Sequence, residues 1–191
     1  MAKVAVIYYS ATGNVRALAQ AVAEGAAEAG AEVRLRRVAE PTADAGGIEV
    51  ATVDDVRWAD GLAFGTPARF GNVSAALKLF LESVGPLWMA GELTNKVATG
   101  FTSANNVHGG HESTLLALHN TLYHWGAIVA APGFTDAVVV RGGGNPYGTS
   151  HAAVQGAPGD EVLAAARYQG RRLAAIATLI AAGGREERIA A

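Results

Sequence analysis

The stretch KVAVIYYSATGN, residues 3–14, decides the fold of this chain. After Lys3 it is a continuous run of apolar, β-branched and aromatic side chains, which is typical of a strand covered on both faces in a parallel sheet. The run stops at SATGN, residues 10–14, where hydroxyl side chains and a glycine replace apolar ones. From Asn14 onward apolar residues recur three and four positions apart, which predicts a helix that ends at Gly30.

Strand-like segments and amphipathic helices alternate along the rest of the chain. Further strands are predicted around Val33 and Leu35 and at residues 61–65, 97–101 and 128–131, with helices at residues 73–84, 114–124 and 161–182. This alternation predicts an α/β fold, a doubly wound five-stranded parallel sheet with helices on both faces and right-handed crossovers. Since no repeat or linker interrupts the pattern, residues 1–191 are expected to form a single domain.

Composition excludes several kinds of chemistry. The chain has 191 residues and no cysteine, which removes thiol catalysis, iron–sulfur ligation and cysteine-zinc sites. Its net charge is −2 with scattered basic residues, so we expect no nucleic-acid partner. The apolar run near the amino terminus is shorter than a signal-peptide core, and residues 173–182 are about half a membrane span. We therefore expect a cytoplasmic protein without a membrane span.

The loop at residues 10–14 has the composition of an anion site. Ser10 and Thr12 supply hydroxyl donors, and the start of the helix supplies backbone N–H groups and a favourable dipole. A plain helix cap would use the same residue types without a ligand. The dinucleotide pattern GxGxxG and the nucleotide-hydrolysing pattern GxxxxGK[ST] are both missing, so a monophosphate with a planar head group fits better than a pyrophosphate.

Two more donor-rich loops follow predicted strands, and in a parallel sheet all three reach the same edge. In GTPARFGN, residues 65–72, Phe70 offers a ring face and Arg69 can stack or donate to ring carbonyls. On its own, this loop favours a simpler interpretation, with Asn72 as a helix cap and Phe70 in the core. In TSANNVHGG, residues 102–110, backbone N–H groups of the glycine pair could stabilise negative charge on a bound ring.

Four histidines lie close together in the sequence, at positions 108, 111, 119 and 124. A metal site is not expected, because the HExxH pattern that begins at His111 has Leu115 where the second histidine belongs. For His111 and His119 we favour core or solvent-exposed roles. His124 is the candidate catalytic residue, since a neutral imidazole can orient a polar ring substituent. Trp88 is a candidate lid over a planar ligand, bound either to its own chain or to a neighbouring subunit.

A set of motifs, taken in order, resembles the WrbA-type flavoproteins, which are NAD(P)H:quinone oxidoreductases of the flavodoxin-like superfamily. The resemblance runs from residue 2 to about residue 182, and its motifs are YYSATGN from Tyr8, GTPARFGN from Gly65, GPLW from Gly85, TSANNVHGGHESTL from Thr102, HWG from His124, GGGNPYG from Gly142 and ARYQGRRLA from Ala166. It implies a flavodoxin-like sheet, one FMN per subunit, and a homotetramer whose active sites are completed by neighbouring chains.

The resemblance also implies which residues meet the cofactor. Those expected at the phosphate are Ser10, Thr12, Gly13, Asn14 and Val15. Those expected along the flavin are Thr66, Pro67, Ala68, Arg69, Phe70, Gly71, Asn72, Thr102, Ser103, Ala104, Asn105, Asn106, Val107, Gly109 and Gly110. His124 is expected at both flavin and substrate, and Trp88 is expected to wall the substrate space. Pro146 and Tyr147 are expected to close the site or a subunit contact.

The expected reaction is the two-electron reduction of a quinone by NAD(P)H through FMN, with ping-pong kinetics. The sequence departs from the family's commoner pattern at Thr12, where a bulkier residue is usual, and at Trp125, where a second histidine is usual. Both departures bear on the choice of substrate. Two alternatives remain: a one-electron carrier like flavodoxin, against which the small net charge argues, and a non-catalytic flavin-binding scaffold protein.

Overall fold

In the part of the chain that the structure describes, six parallel strands form one sheet. The structure is a computed structural model and describes residues 1–39 and 47–183. The strands run in the order β2-β1-β3-β4-β5, and β6 also pairs with β4. Their bounds are Lys3–Tyr8 for β1, Glu32–Arg37 for β2, Gly61–Pro67 for β3, Val97–Ala104 for β4, Ile128–Val129 for β5 and Ser150–Ala152 for β6. The order of strands reverses between β1 and β3, which confirms the doubly wound parallel fold.

The prediction of one fifth strand at residues 128–131 is wrong in detail, because that place in the sheet is shared by two short strands. β5 pairs with Val97 and Ala98 at the start of β4, and β6 pairs with residues 102–104 at its end. Pro132, which has no N–H to donate, and Gly133, with φ 55°, turn the chain out of the sheet after β5. The chain returns at Ser150, so the described residues form six strands where the sequence predicts five.

Seven α-helices are described around the sheet. They are α1 Asn14–Glu28, α2 Val53–Trp58, α3 Ala75–Ser83, α4 Gly85–Met89, α5 His111–His124, α6 Ala137–Arg141 and α7 Asp160–Ala182. The helix predicted at residues 73–84 is observed as α3, and Gly85 and Pro86, which follow it, begin α4, where proline fits because the first amides of a helix need no intrahelical partner. Within the described residues, no helix combines the length and the apolar character of a membrane span.

Alternate side chains of β1 bury themselves in two different cores. Val4 and Val6 face the core that includes α1 and α7, whereas Ala5 and Ile7 face the core that includes α3 and α5. This two-sided burial explains the unbroken apolar run in the sequence. Because β1 runs parallel to β3 and β4, the first residue after β1 lies at the carboxyl edge of the sheet, beside the loops that follow β3 and β4.

Candidate functional site

The three donor-rich loops meet at the carboxyl edge of the sheet, as the sequence predicts. A cavity of about 160 Å³ lies between them. The residues that line it are Ser10, Ala11, Thr12, Asn14, Val15, Pro67, Arg69, Ser103, Ala104, Asn105 and Ala153. Among these described lining residues, Arg69 is the one charged side chain. We call this space the inner cavity, since it lies over β1, β3 and β4 at the point where strand order reverses.

The start of α1 is open toward a ligand. Its N-cap is Gly13, with φ 93°, and no side chain of the described residues caps the helix. The Ser10 hydroxyl accepts a hydrogen bond from the Gly13 amide at 3.1 Å, which folds the loop without covering the first-turn amides. By contrast, Ser74 caps α3 by accepting from the Leu77 amide at 3.4 Å. The plain-cap interpretation of residues 10–14 therefore does not hold, and the helix end suits an anion.

The loop after β3 forms a tight hairpin turn that presents Phe70 to solvent. Arg69 and Asn72 exchange backbone hydrogen bonds of 2.9 and 3.0 Å, and the two residues between them, Phe70 and Gly71, have φ of 52° and 73°. Both parts of the simpler interpretation are wrong, because Phe70 is fully exposed (104%) and Ser74, not Asn72, caps the helix. A bulky residue with positive φ is strained, and such strain clusters at ligand sites.

Thr66 and Thr102 lie behind the inner cavity, although the resemblance implies contact with the cofactor. Both are fully buried. The Thr102 hydroxyl donates to the Thr66 carbonyl at 2.6 Å, and the Thr66 hydroxyl donates to the Ser74 hydroxyl at 3.1 Å. The Ala68 amide donates to the Ser103 carbonyl at 2.8 Å. These bonds tie the ends of β3 and β4 together, so the two threonines fix the positions of the loops that do line the cavity.

The third loop contacts both the second loop and the segment that follows β6. A Cβ on Gly110, whose φ is 85°, would lie 2.8 Å from the Cα of Gly71. The Val154 amide donates to the Asn105 carbonyl at 2.8 Å, which places Ala153 in the wall of the inner cavity. Ala153 was missed from the sequence, because nothing in the glycine-rich stretch around it predicts a strand that returns to β4.

His124 and Trp88 lie at the other edge of the sheet. α5 has 14 residues and begins directly after the third loop, so its last residue, His124, is about 20 Å from the inner cavity. The Trp88 indole N–H donates to the His124 carbonyl at 2.8 Å, which holds these two residues together, and the Trp88 side chain is 51% exposed. A single chain therefore does not bring them to the loops.

The remaining singled-out residues of α5 belong to the interior. His111 and His119 are buried, and burial lowers the pKa of the His119 imidazole. Trp125 stands where the family commonly has a second histidine, and its ring is buried edge-on against Phe64 with 5.9 Å between centroids. In this chain that position contributes to the core. His108 is exposed in the third loop.

Comparisons with known proteins agree on one family. The model of the NADPH-dependent FMN reductase family matches residues 2–137. A protein of Geotalea uraniireducens named NAD(P)H dehydrogenase (quinone) is 43% identical, with 94% of this chain and 99% of that protein covered. A protein of Paracoccus denitrificans with the same name is 40% identical, with 98% and 99% covered.

Solved structures agree with the fold. A flavodoxin, WrbA-like protein from Agrobacterium tumefaciens superposes with a TM-score of 0.69 at 25% identity, covering 94% of this chain and 99% of that one. A two-electron reduced flavodoxin from Megasphaera elsdenii superposes with a TM-score of 0.60 at 22% identity, covering 90% and 98%. The second likeness shows the architecture alone. Together they confirm that the sheet and its helices have the flavodoxin arrangement.

Proposed function

The chain belongs to the NADPH-dependent FMN reductase family, and we propose that it is an FMN-dependent NAD(P)H:quinone oxidoreductase. The reaction transfers two electrons and a proton from NAD(P)H, with a second proton from solvent, to a quinone, giving NAD(P)⁺ and the hydroquinone. The observation that carries the proposal is the inner cavity, which the open start of α1 and Arg69 of the second loop line together. Full-length relatives named NAD(P)H dehydrogenase (quinone) support it.

The lining of the inner cavity fits FMN. A phosphate at the start of α1 meets the uncapped first-turn amides, with Thr12 and Asn14 beside them. A flat ring placed further along meets Arg69, which lines the cavity, and we propose that it also meets the exposed ring of Phe70, the next residue of the same loop. No acidic residue is among the described residues that line this cavity, so nothing in that lining repels the phosphate.

Bound FMN supplies the redox chemistry, because its ring system accepts a hydride from a nicotinamide and gives two electrons to a quinone. The chain's own groups bind and orient. Arg69 places positive charge in the lining of the inner cavity. In the third loop the Gly109 amide already donates to the Asn106 carbonyl at 3.0 Å, so the Gly110 amide is the candidate donor of this glycine pair for negative charge at the ring. The buried Thr66–Thr102 bond keeps the second and third loops at a fixed spacing, which holds the reacting partners in register.

A neighbouring chain completes the site in this proposal. Since Trp88 and His124 lie at the opposite edge of their own sheet, they reach a flavin only on another copy of the chain. Large apolar side chains are exposed at both edges: Trp88, Met89 and Tyr123 at one, and Phe70 and Val107 at the other. A homotetramer in which one edge covers the other would bury both sets. We propose that the neighbour's Trp88 walls the quinone and its His124 orients the substrate.

Location, partners and domain organisation follow the sequence in this proposal. The net charge of −2 and the absence of a basic cluster in the sequence favour a cytoplasmic enzyme that binds no nucleic acid. A single domain over residues 1–191 is proposed on the same basis, with residues 40–46 and 184–191 outside the described part of the chain.

An absorbance titration followed by steady-state kinetics tests the function. Purified protein is titrated with FMN and then given NADH or NADPH with benzoquinone. The proposal predicts a bound flavin spectrum, consumption of the reduced nucleotide, and parallel lines in double-reciprocal plots. Flavin binding without nucleotide oxidation would favour the one-electron carrier instead. Failure to bind FMN would contradict both enzyme and carrier, and leave a protein that keeps only the fold.

Replacing Phe70 by asparagine is expected to have opposite effects on stability and on flavin affinity. Asparagine tolerates the left-handed conformation, so relief of strain at φ 52° should raise the free energy of unfolding by about 1 kcal/mol. Loss of the ring should weaken FMN binding about fivefold, because an aromatic contact contributes roughly 1 kcal/mol. Urea unfolding of flavin-free protein and fluorescence titration with FMN measure the two effects.

The matched control for this change is Phe70→Tyr, which keeps both the ring and the strain. It should leave stability and FMN affinity close to those of the unchanged protein. If Phe70→Asn binds FMN as tightly as Phe70→Tyr does, the exposed ring has no contact with the flavin.

Replacing Trp88 by alanine is expected to raise the KM for the quinone at least about tenfold without changing FMN affinity. The reason is that Trp88 would wall the substrate space of a neighbouring chain and not the flavin phosphate of its own. Trp88→Phe keeps a ring but cannot donate to the His124 carbonyl, so it separates the packing contribution from the hydrogen bond. Steady-state kinetics at saturating NADH gives the comparison. An unchanged quinone KM in Trp88→Ala would remove this residue from the substrate site.

A further inference from the structure

A second, larger cavity lies on the other side of the loop at residues 10–13. Its volume is about 300 Å³, and besides that loop it is lined by Tyr8, Tyr9, Arg16, Arg37 and Val38. We call it the outer cavity, because it lies toward β2, away from β3 and β4. Ser10, Ala11 and Thr12 line both cavities, so the loop that receives the flavin phosphate is the wall between them. The proposed flavin site uses only the inner one.

Among the described residues that line the outer cavity, the charged side chains are two arginines. Arg16 comes from the first turn of α1 and Arg37 is the last residue of β2, and both act on the buried phenol of Tyr8. Burial raises the pKa of that phenol, while the charges of Arg16 and Arg37 oppose the rise. The residues described as lining this cavity include no acidic side chain.

Arg37 is held in place by backbone contacts. Its Nε donates to the Ile48 carbonyl at 3.2 Å, its amide donates to the Glu49 carbonyl at 3.1 Å, and its carbonyl accepts from the Ala51 amide at 2.7 Å. Fixing Nε in this way limits the conformations of the guanidinium, and the terminal amino groups of Arg37 make no hydrogen bond to the side chains or backbone of the described residues. A pre-positioned guanidinium binds a phosphate with a smaller loss of side-chain entropy than a mobile one.

We propose that the outer cavity binds the adenosine 2′-phosphate of NADPH, an inference that rests on the proposed function. A phosphate monoester is close to a dianion, and two guanidinium groups with a phenol beside them suit its charge and its several acceptor oxygens. The nicotinamide of the same molecule has to reach the ring in the inner cavity, and only the loop at residues 10–13 separates the two spaces. NADH lacks this phosphate, so the outer cavity makes the enzyme prefer NADPH.

Replacing Arg37 by glutamine tests the preference. The KM for NADPH should rise about tenfold to a hundredfold, since hydrogen bonds to charged groups of this kind have that effect on affinity, while the KM for NADH stays the same. Arg16→Gln should act in the same direction. Arg171→Gln is the matched control, because it removes the same charge from α7, where Arg171 only pairs with the exposed Glu28 at 2.9 Å.

Direct binding tests the cavity without turnover. FMN-saturated protein is titrated calorimetrically with 2′-AMP, 5′-AMP and inorganic phosphate. We expect 2′-AMP to bind at least about tenfold more tightly than 5′-AMP, and Arg37→Gln to lose the difference. Equal affinity for the two nucleotides would overturn the proposal. So would displacement of 2′-AMP by FMN, which would make the outer cavity part of the flavin site, or competition by inorganic phosphate at the same strength as 2′-AMP, which would make it a site for the free anion.

The two measurements separate this inference from the proposed function. If neither nucleotide is oxidised while 2′-AMP binds selectively, the result contradicts the proposed oxidoreductase function and supports the 2′-phosphate site. If both nucleotides are oxidised with the same KM in the unchanged protein and in Arg37→Gln, the function stands and the site fails. Should Arg37→Gln not fold, the same comparison is made with Arg16→Gln and with the unchanged protein in the calorimeter.

Discussion

Replacing Gly170 by alanine is expected to lower the free energy of unfolding by about 3 kcal/mol. α1 and α7 cross in close contact, and a Cβ on Gly170 would lie 2.0 Å from the Val22 carbonyl oxygen. The reciprocal position is as tight, since a Cβ on Gly25 would lie 1.9 Å from the Arg167 carbonyl oxygen. Both obstacles are backbone atoms, which cannot rotate away. The helices must therefore separate, and the core that includes Leu18 and Leu173 loses packing.

Thermal and urea unfolding measure this effect, and Gly183→Ala, at the residue directly after α7, is the control. At Gly183 the nearest atom to a new Cβ is the Leu179 carbonyl oxygen at 3.5 Å, an ordinary contact, so stability should change by less than about 0.5 kcal/mol. For Gly170→Ala the midpoint should fall by about 6–12 °C. Gly25→Ala should behave like Gly170→Ala. Equal midpoints for Gly170→Ala and Gly183→Ala would mean that the two helices are not packed this closely.

The sequence predicts the sheet well because burial on two faces leaves a local trace. The apolar run before Ser10 needs no knowledge of its neighbours to be recognised, and the strands at residues 61–65 and 97–101 follow the same rule. The pairing of Ser150–Ala152 with the end of β4 leaves no such trace. Three residues among glycines and a proline form a strand only because β4 offers unpaired backbone groups beside them, which is a tertiary effect.

The three loops are predictable for a topological reason, whereas the contents of each loop are not. All parallel strands end at one edge, so donor-rich segments after them must meet there. Phe70 was favoured as a core residue on its hydrophobicity, but the two-residue turn between Arg69 and Asn72 forces it outward with positive φ. The geometry of that turn depends on where β3 ends, and this cannot be predicted from the hydrophobicity of a single residue.

The separation of His124 from the loops follows from helix geometry. A helix that begins at the carboxyl edge and packs along the sheet ends near the amino edge, so His124 is separated from the inner cavity by about the length of α5. No pattern in the sequence indicates the outer cavity. Arg34 and Arg36 alternate with Val33 and Leu35, which is typical of a solvated edge strand, and Arg37 follows them directly as one more partly exposed arginine.

Replacing Asn14 by aspartate is expected to weaken FMN binding about a hundredfold while leaving the fold as stable or slightly more so. Asn14 is the first residue of α1 and lines the inner cavity, so a carboxylate there would lie beside the phosphate. Two like charges about 4 Å apart near a protein surface repel by up to about 4 kcal/mol, of which solvent and salt screen a part. A negative charge in the first turn interacts favourably with the helix dipole, and this interaction adds up to about 1 kcal/mol to the free energy of unfolding.

These opposite signs distinguish phosphate binding from damage to the structure. Fluorescence titration with FMN measures affinity, and urea unfolding of the flavin-free protein measures stability. Gln20→Glu is the control, since it makes the same isosteric change at an exposed position of the same helix and should leave FMN affinity within about twofold. Repulsion also predicts that added salt reduces the difference in FMN affinity between Asn14→Asp and the unchanged protein. If Asn14→Asp binds FMN as tightly as Gln20→Glu does, the phosphate does not lie at the start of α1, and the inner cavity is not the flavin site.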